Sequence, residues 1–118
     1  MAKGGLFVLN IGEAGLRSIL AARLSLIGRD VISVFDLADA ALSRLMRDHP
    51  ILLLDDATLE RLPERALDRF VADERWLHVV VVSRRLPDDA EDCGRPCFLP
   101  RGEAPARLIA LAEAWFTG

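Results

Sequence analysis

Short aliphatic runs alternate with amphipathic segments along the chain, five of each. The first run, LFVLNI at 6–11, is strand-like, and Gly12 and Gly15 break it. Residues 14–27 then place Leu16, Ile19, Leu20, Leu24 and Ile27 at helical spacing, with Gly28 as a C-terminal stop. VISVF at 31–35 is rich in β-branched residues and reads as a second strand. Asp36 suits an N-cap, and Leu37, Ala41, Leu42 and Leu45 form the stripe of a second helix ending near Arg47 or Asp48.

The third strand is ILLLD at 51–55, and Pro63 suits the first turn of a helix whose Ala66, Leu67, Phe70 and Val71 share one face. WLHVVVVS at 76–83 is the fourth strand and CFLP at 97–100 a short fifth. The last helix spans 104–116, with Leu108, Leu111, Ala112 and Trp115 directed inward. Strands that are continuously apolar are those covered on both faces, so the order βαβαβαβαβα predicts a doubly wound α/β domain with a five-stranded parallel sheet. One connection breaks the pattern: RRLPDDAEDCGRP at 84–96 has an early proline and no apolar stripe, which predicts a shortened or missing fourth helix.

Length and charge narrow the function. With 118 residues, one domain can bury its core without disulfides or metals. A net charge of −3 supplies no field to collect nucleic acid, so no direct contact of this domain with DNA or RNA is expected. No run approaches the ~20 apolar residues of a membrane helix, and the start MAKGGLFVLN lacks a signal-peptide layout, which predicts a cytoplasmic protein without membrane contact. Cys93 and Cys97 are expected as reduced thiols, because CGRPC has neither redox spacing nor neighbouring histidines for zinc.

In open parallel sheets, ligands and reactive groups gather beyond the carboxyl ends of the strands. The polar residues there are Asn10 with nearby Glu13, Asp55 with Asp56, Ser83, and Arg101. An amide or acid, an acid, a hydroxyl and a cation at the ends of strands one, three, four and five make a constellation. Asp55 and Asp56 alone are also what a strand end and a capped turn would use. Glu13 also suits the first turn of a helix, Arg84 and Arg85 a solvated surface or a partner contact, and His49 and His78 structural positions.

With these residues the chain resembles a response-regulator receiver domain, the CheY-like branch of the flavodoxin-type fold, over essentially its whole length. The resemblance implies that Asp55, ending ILLLD, holds the phosphoacceptor position. It implies that Ser83 contacts the phosphoryl group, that Arg101 replaces the usual lysine with Gly102 in place of the following proline, and that Phe98 sits at the position of a switch aromatic. The adjacent acid pair expected for Mg²⁺ is replaced by Asn10 and Ile11, with Glu13 displaced, so Asp55, Asn10 and Glu13 form a weak metal site and Mg²⁺ chemistry is impaired. Arginine lacks the compact ammonium of lysine, so Arg101 is expected to pair with Asp55 or a phosphoryl oxygen in altered geometry.

The expected role is therefore that of a non-enzymatic two-component receiver in signal transduction. It would be either a phosphorylation-competent member of a phosphorelay, served by a histidine kinase and part of a longer transcriptional regulator, or a pseudo-receiver acting by protein–protein interaction. A homodimer through the 84–116 face is expected on the same grounds. The alternative from another class is a small α/β enzyme or ligand-binding domain using an Asp55/Ser83/Arg101 pocket. No activated nucleophile stands beside a base to favour it.

Overall fold

The computed structural model describes residues 5–35, 44, 46–84 and 96–116. Five strands, β1 (Leu6–Asn10), β2 (Asp30–Ser33), β3 (Ile51–Asp55), β4 (His78–Ser83) and β5 (Cys97–Pro100), pair in parallel in the order β2-β1-β3-β4-β5. The helices α1 (Ala14–Leu26), α2 (Asp56–Arg61), α3 (Ala66–Ala72) and α4 (Ala104–Phe116) cover the sheet. This is the doubly wound α/β, flavodoxin-like arrangement expected from the pattern, and its strand order is that of the CheY-like branch.

The alternation of side chains along each strand divides the core into two layers. Phe7, Leu9, Ile51, Leu53, Val80, Val82, Cys97 and Leu99 pack with α1 and α4 through Leu16, Leu20, Leu24, Leu108 and Ala112. Val8, Leu52, Leu54 and Val79 face the other way with Met46 and Trp76, against Leu59, Leu67, Phe70 and Val71 of α2 and α3. Ile51 to Leu54 are fully buried because β3 is central and covered on both sides. Each such leucine removed from water contributes about 1.5–3 kcal/mol.

Gly28 ends α1 at φ 82°, the left-handed conformation that a C-terminal stop needs. The last helix has the expected bounds, with Leu111 and Trp115 half-buried against the α1/α4 layer. A 3₁₀ turn at Met46–Asp48 precedes His49, whose φ of 51° reverses the chain into Pro50 and β3. His78 opens β4 and stacks on Trp115, with ring centroids 3.9 Å apart.

Four expectations change. Ile19 is 49% exposed, because the inward stripe of α1 is carried by Leu16, Leu20 and Leu24, with Ala21 and Ile27 partly buried against the same layer. The second strand begins at Asp30 and ends at Ser33, leaving Phe35 80% exposed with the Arg17 guanidinium 5.2 Å from its ring centre. The fourth strand starts at His78, and Trp76 is instead a buried residue of the preceding turn. Finally, helix formation resumes immediately after β3 at Asp56, and the segment expected from Pro63 becomes helical only from Ala66. The second-helix stripe of Leu37, Ala41, Leu42 and Leu45 and its Asp36 cap lie outside the described residues, as do Arg85, Cys93 and the shortened fourth-helix segment between Arg84 and Pro96.

Candidate functional site

The strand order reverses between β1 and β3, so the loops leaving them diverge and open a crevice at their carboxyl ends. Asn10 and Asp55 end these two strands, and both are buried. Ile11, 2% exposed, anchors the β1–α1 loop in the core. That anchoring brings the next two amides over the crevice.

Asp55 is the centre of the site. Its Oδ1 accepts from Gly12 N at 2.9 Å and from Thr58 N at 2.9 Å, and its Oδ2 accepts from Glu13 N at 3.0 Å. With φ −129° and ψ 174° it is the extended N-cap of α2. One carboxylate thus satisfies backbone donors of two separate segments, and only 4% of the residue is exposed. Thr58 doubles the link, because its Oγ1 donates to the Asn10 carbonyl at 2.8 Å and the residue is buried. Thr58→Val keeps the shape and removes this bond. We expect a loss of about 1 kcal/mol in urea unfolding, with the midpoint lowered and the slope unchanged.

Glycine at position 12 follows from the same closeness. A Cβ there would lie 2.9 Å from the Ala57 Cβ, 3.3 Å from Thr58 N and 2.5 Å from an Arg61 guanidinium nitrogen. The β1–α1 loop can approach the first turn of α2 only without a side chain at this point.

Arg101, in the 3₁₀ turn at Arg101–Glu103 after β5, does not pair with Asp55. Its guanidinium grips Glu13 with two bonds, Nε to Oε2 at 2.8 Å and Nη2 to Oε1. The expected partner Asp55 is engaged by three amides, while the Glu13 carboxylate on the β1–α1 loop lies within reach of the guanidinium. A second cation, Arg84, places Nη2 3.9 Å from Glu13 Oε2 and donates its backbone N–H to Asp56 Oδ2 at 2.8 Å. Asp56 is therefore the first residue of α2 and the acceptor that ties the end of β4 to it.

These groups surround an open cleft of about 370 Å³, floored by Leu16 and Val82 and walled by Glu13, Asp55, Glu60 and Arg101. Ser83 is buried at the end of β4, beside Asp56 and Arg84 in an adjoining depression. Phe98 is half-buried on β5, opposite Val81, and alternation turns it away from the face of Cys97 and Leu99. The cleft therefore gathers Glu13, Asp55 and Arg101, with Ser83 in the adjoining depression and Phe98 outside it, while Asn10 is buried at the end of β1 and does not line it. Among the described residues no group of three or more His, Cys, Asp or Glu side chains is arranged to hold a metal ion.

Sequence reasoning missed Thr58 and the amides of Gly12 and Glu13. The first had no local signal, since an N-cap acid bonds the backbone N–H three residues on whatever its side chain, and the Thr58 hydroxyl reaches a carbonyl 48 residues away. The Glu13–Arg101 pair joins residues 88 apart and had none.

No helix among the described residues is long and apolar enough to cross a membrane. No family model matches the chain, and no solved structure matches it at the significance of the relative that follows. Over 50 residues the chain is 48% identical to a protein of Porphyridium aerugineum named "Probable transcriptional regulator ycf27". The matched stretch is 42% of this chain and 20% of that protein, so the likeness covers a fifth of the relative's length.

Proposed function

We propose that the chain is a receiver-like signalling domain in which the phosphoryl chemistry is lost and the output is a protein–protein contact. The strand order, the acid ending β3, the hydroxyl ending β4 and the cation after β5 support the receiver part, together with the partial likeness to a probable transcriptional regulator. The loss of chemistry rests on one observation: both oxygens of Asp55 are engaged by backbone amides, Oδ1 by two and Oδ2 by one.

A phosphoacceptor carboxylate needs one oxygen for the metal and one for attack, and transfer between two anions needs a divalent cation to neutralise charge. Here the donors do not suit Mg²⁺. Asp55 is engaged by amides and Glu13 by Arg101, and Asn10 brings no charge. A phosphoryl group on either oxygen would compete with the amides of Gly12, Glu13 or Thr58 for Asp55. Arg101 stands where a receiver has lysine, but its guanidinium is held by Glu13 and is not presented to Asp55.

Incubation with Mg²⁺ and acetyl phosphate should leave the intact mass of the protein unchanged. A phosphoryl adduct that disappears in Asp55→Asn would sink this reading and favour the phosphorylation-competent form. On the same reading the face around β5 and α4, where Leu99, Arg107, Ala110 and Leu111 line a shallow recess, is the surface for a second copy or another signalling protein.

A further inference from the structure

The outward side of α1 lacks the charges of a solvent-facing helix. Of its eight exposed residues only Arg23 is charged, whereas a helix lying on a core normally carries charges opposite its apolar stripe. Two large apolar side chains stand there, Ile19 at 49% and Leu26 at 83% exposed. Gly15 and Ala22, also exposed, complete a line at 15, 19, 22 and 26. Steps of four, three and four are the narrow seam along which one helix packs on another. This line is separate from Leu16, Leu20 and Leu24, which α1 buries in its own core.

Small and large residues alternate along the seam, and the alternation makes it self-complementary. Laid antiparallel on a second copy, about a twofold axis crossing between Ile19 and Ala22, Gly15 of one chain meets Leu26 of the other and Ala22 meets Ile19. Every large side chain then enters the gap over a small one. A parallel pair would set Leu26 on Leu26 and Gly15 on Gly15, crowding one layer and leaving another empty. Gly15 is an independent sign. Nothing lies within 4 Å of a Cβ built there, so the single chain has no need of glycine inside a helix, where glycine is costly. A leucine approaching from a second copy does need it. We infer that α1 is the contact of a twofold, antiparallel homodimer.

The charge pattern favours a copy over a different protein. A charged partner would find only Arg23 to pair with, while Ser18 and Ser25 flank the seam without repelling their equivalents. The helix has 13 residues and is about 20 Å long. One such pair buries less than the roughly 1,200 Å² of stable complexes, so the dimer is weak, with a Kd on the order of 0.1 mM. The contact is distinct from the β5/α4 recess and does not depend on the fate of Asp55.

Sedimentation equilibrium of wild type, Leu26→Glu, Ala22→Leu and Ala110→Glu, up to about 2 mM protein, tests the contact. Wild type should pass reversibly from one chain to two with a midpoint of about 0.1 mM, and Leu26→Glu should weaken the dimer about tenfold or more by burying an unpaired charge. Ala22→Leu should weaken it as well, although it adds apolar surface, because it fills the gap that Ile19 enters; this separates a registered seam from general adhesion. Ala110→Glu, in the β5/α4 recess, should match wild type. A wild type that stays monomeric throughout would overturn the inference and leave the face to another protein. A dimer that survives Leu26→Glu, tightens in Ala22→Leu or is lost in Ala110→Glu would overturn it too. All three substituted positions are exposed, and a native amide spectrum at low concentration establishes that each variant is folded.

Discussion

Asp55→Ala should be destabilised by about 3 kcal/mol, a drop of roughly 10–15 °C in Tm for a domain of this size. The substitution removes no large apolar surface. It strands three N–H donors, those of Gly12, Glu13 and Thr58, and takes the cap from α2. Each buried donor left without an acceptor costs about 1–3 kcal/mol, less whatever water recovers at the two amides that are only partly buried. Asp55→Asn should fall between the two proteins. Its carbonyl oxygen can still serve Gly12 and Thr58, but its NH₂ meets the Glu13 N–H donor to donor. Chemical denaturation of the three proteins checks the order. An acceptor residue with no structural duty would give three coincident curves.

Gly12→Val should cost about 2–3 kcal/mol, through overpacking instead of lost bonds. A flexible Arg61 can move aside, but the Ala57 Cβ at 2.9 Å and Thr58 N at 3.3 Å belong to the first turn of α2 and cannot. The β1–α1 loop must then lift, lengthening the bonds from Gly12 N and Glu13 N to Asp55. Gly15→Ala is the control. Nothing stands within 4 Å of a Cβ there, and the residue lies inside α1, so alanine should be neutral or stabilise by about 0.5 kcal/mol. Thermal melts of the pair distinguish close approach from a general intolerance of side chains in this region.

Much of the fold was readable from the chain because burial on both faces imposes continuous apolar runs. ILLLD and HVVVVS carry that signature, and their neighbours in the sheet followed from the alternation with helices. The less secure boundaries lay where burial is one-sided. Phe35 has the β propensity of a strand but lies past the end of β2 and is 80% exposed, and Ile19 has the spacing of a core residue but is 49% exposed. The start of α2 was hidden for another reason. Pro63 is a strong local signal for a helix start, yet Asp55 caps the chain eight residues earlier, and a capped turn needs no apolar stripe to announce it.

The site was legible as a set of positions and not as a set of bonds. Polar residues ending apolar strands identified Asn10, Asp55, Ser83 and Arg101, since topology alone brings those ends together. Which carboxylate Arg101 would choose depended on where the β1–α1 loop lies. That in turn depended on amide donors, which every residue but proline possesses and which leave no trace in side-chain identity. The pairing with Glu13 in place of Asp55 is the consequence.

The most direct test of Asp55 as a structural acceptor is a titration with beryllofluoride and Mg²⁺, followed by the ¹⁵N–¹H signals of Gly12, Glu13 and Thr58. If the carboxylate is committed to those three amides, their signals stay in place through saturating ligand. Saturable shifts centred on them, abolished by Asp55→Asn, would contradict the account and return Asp55 to the role of phosphoacceptor.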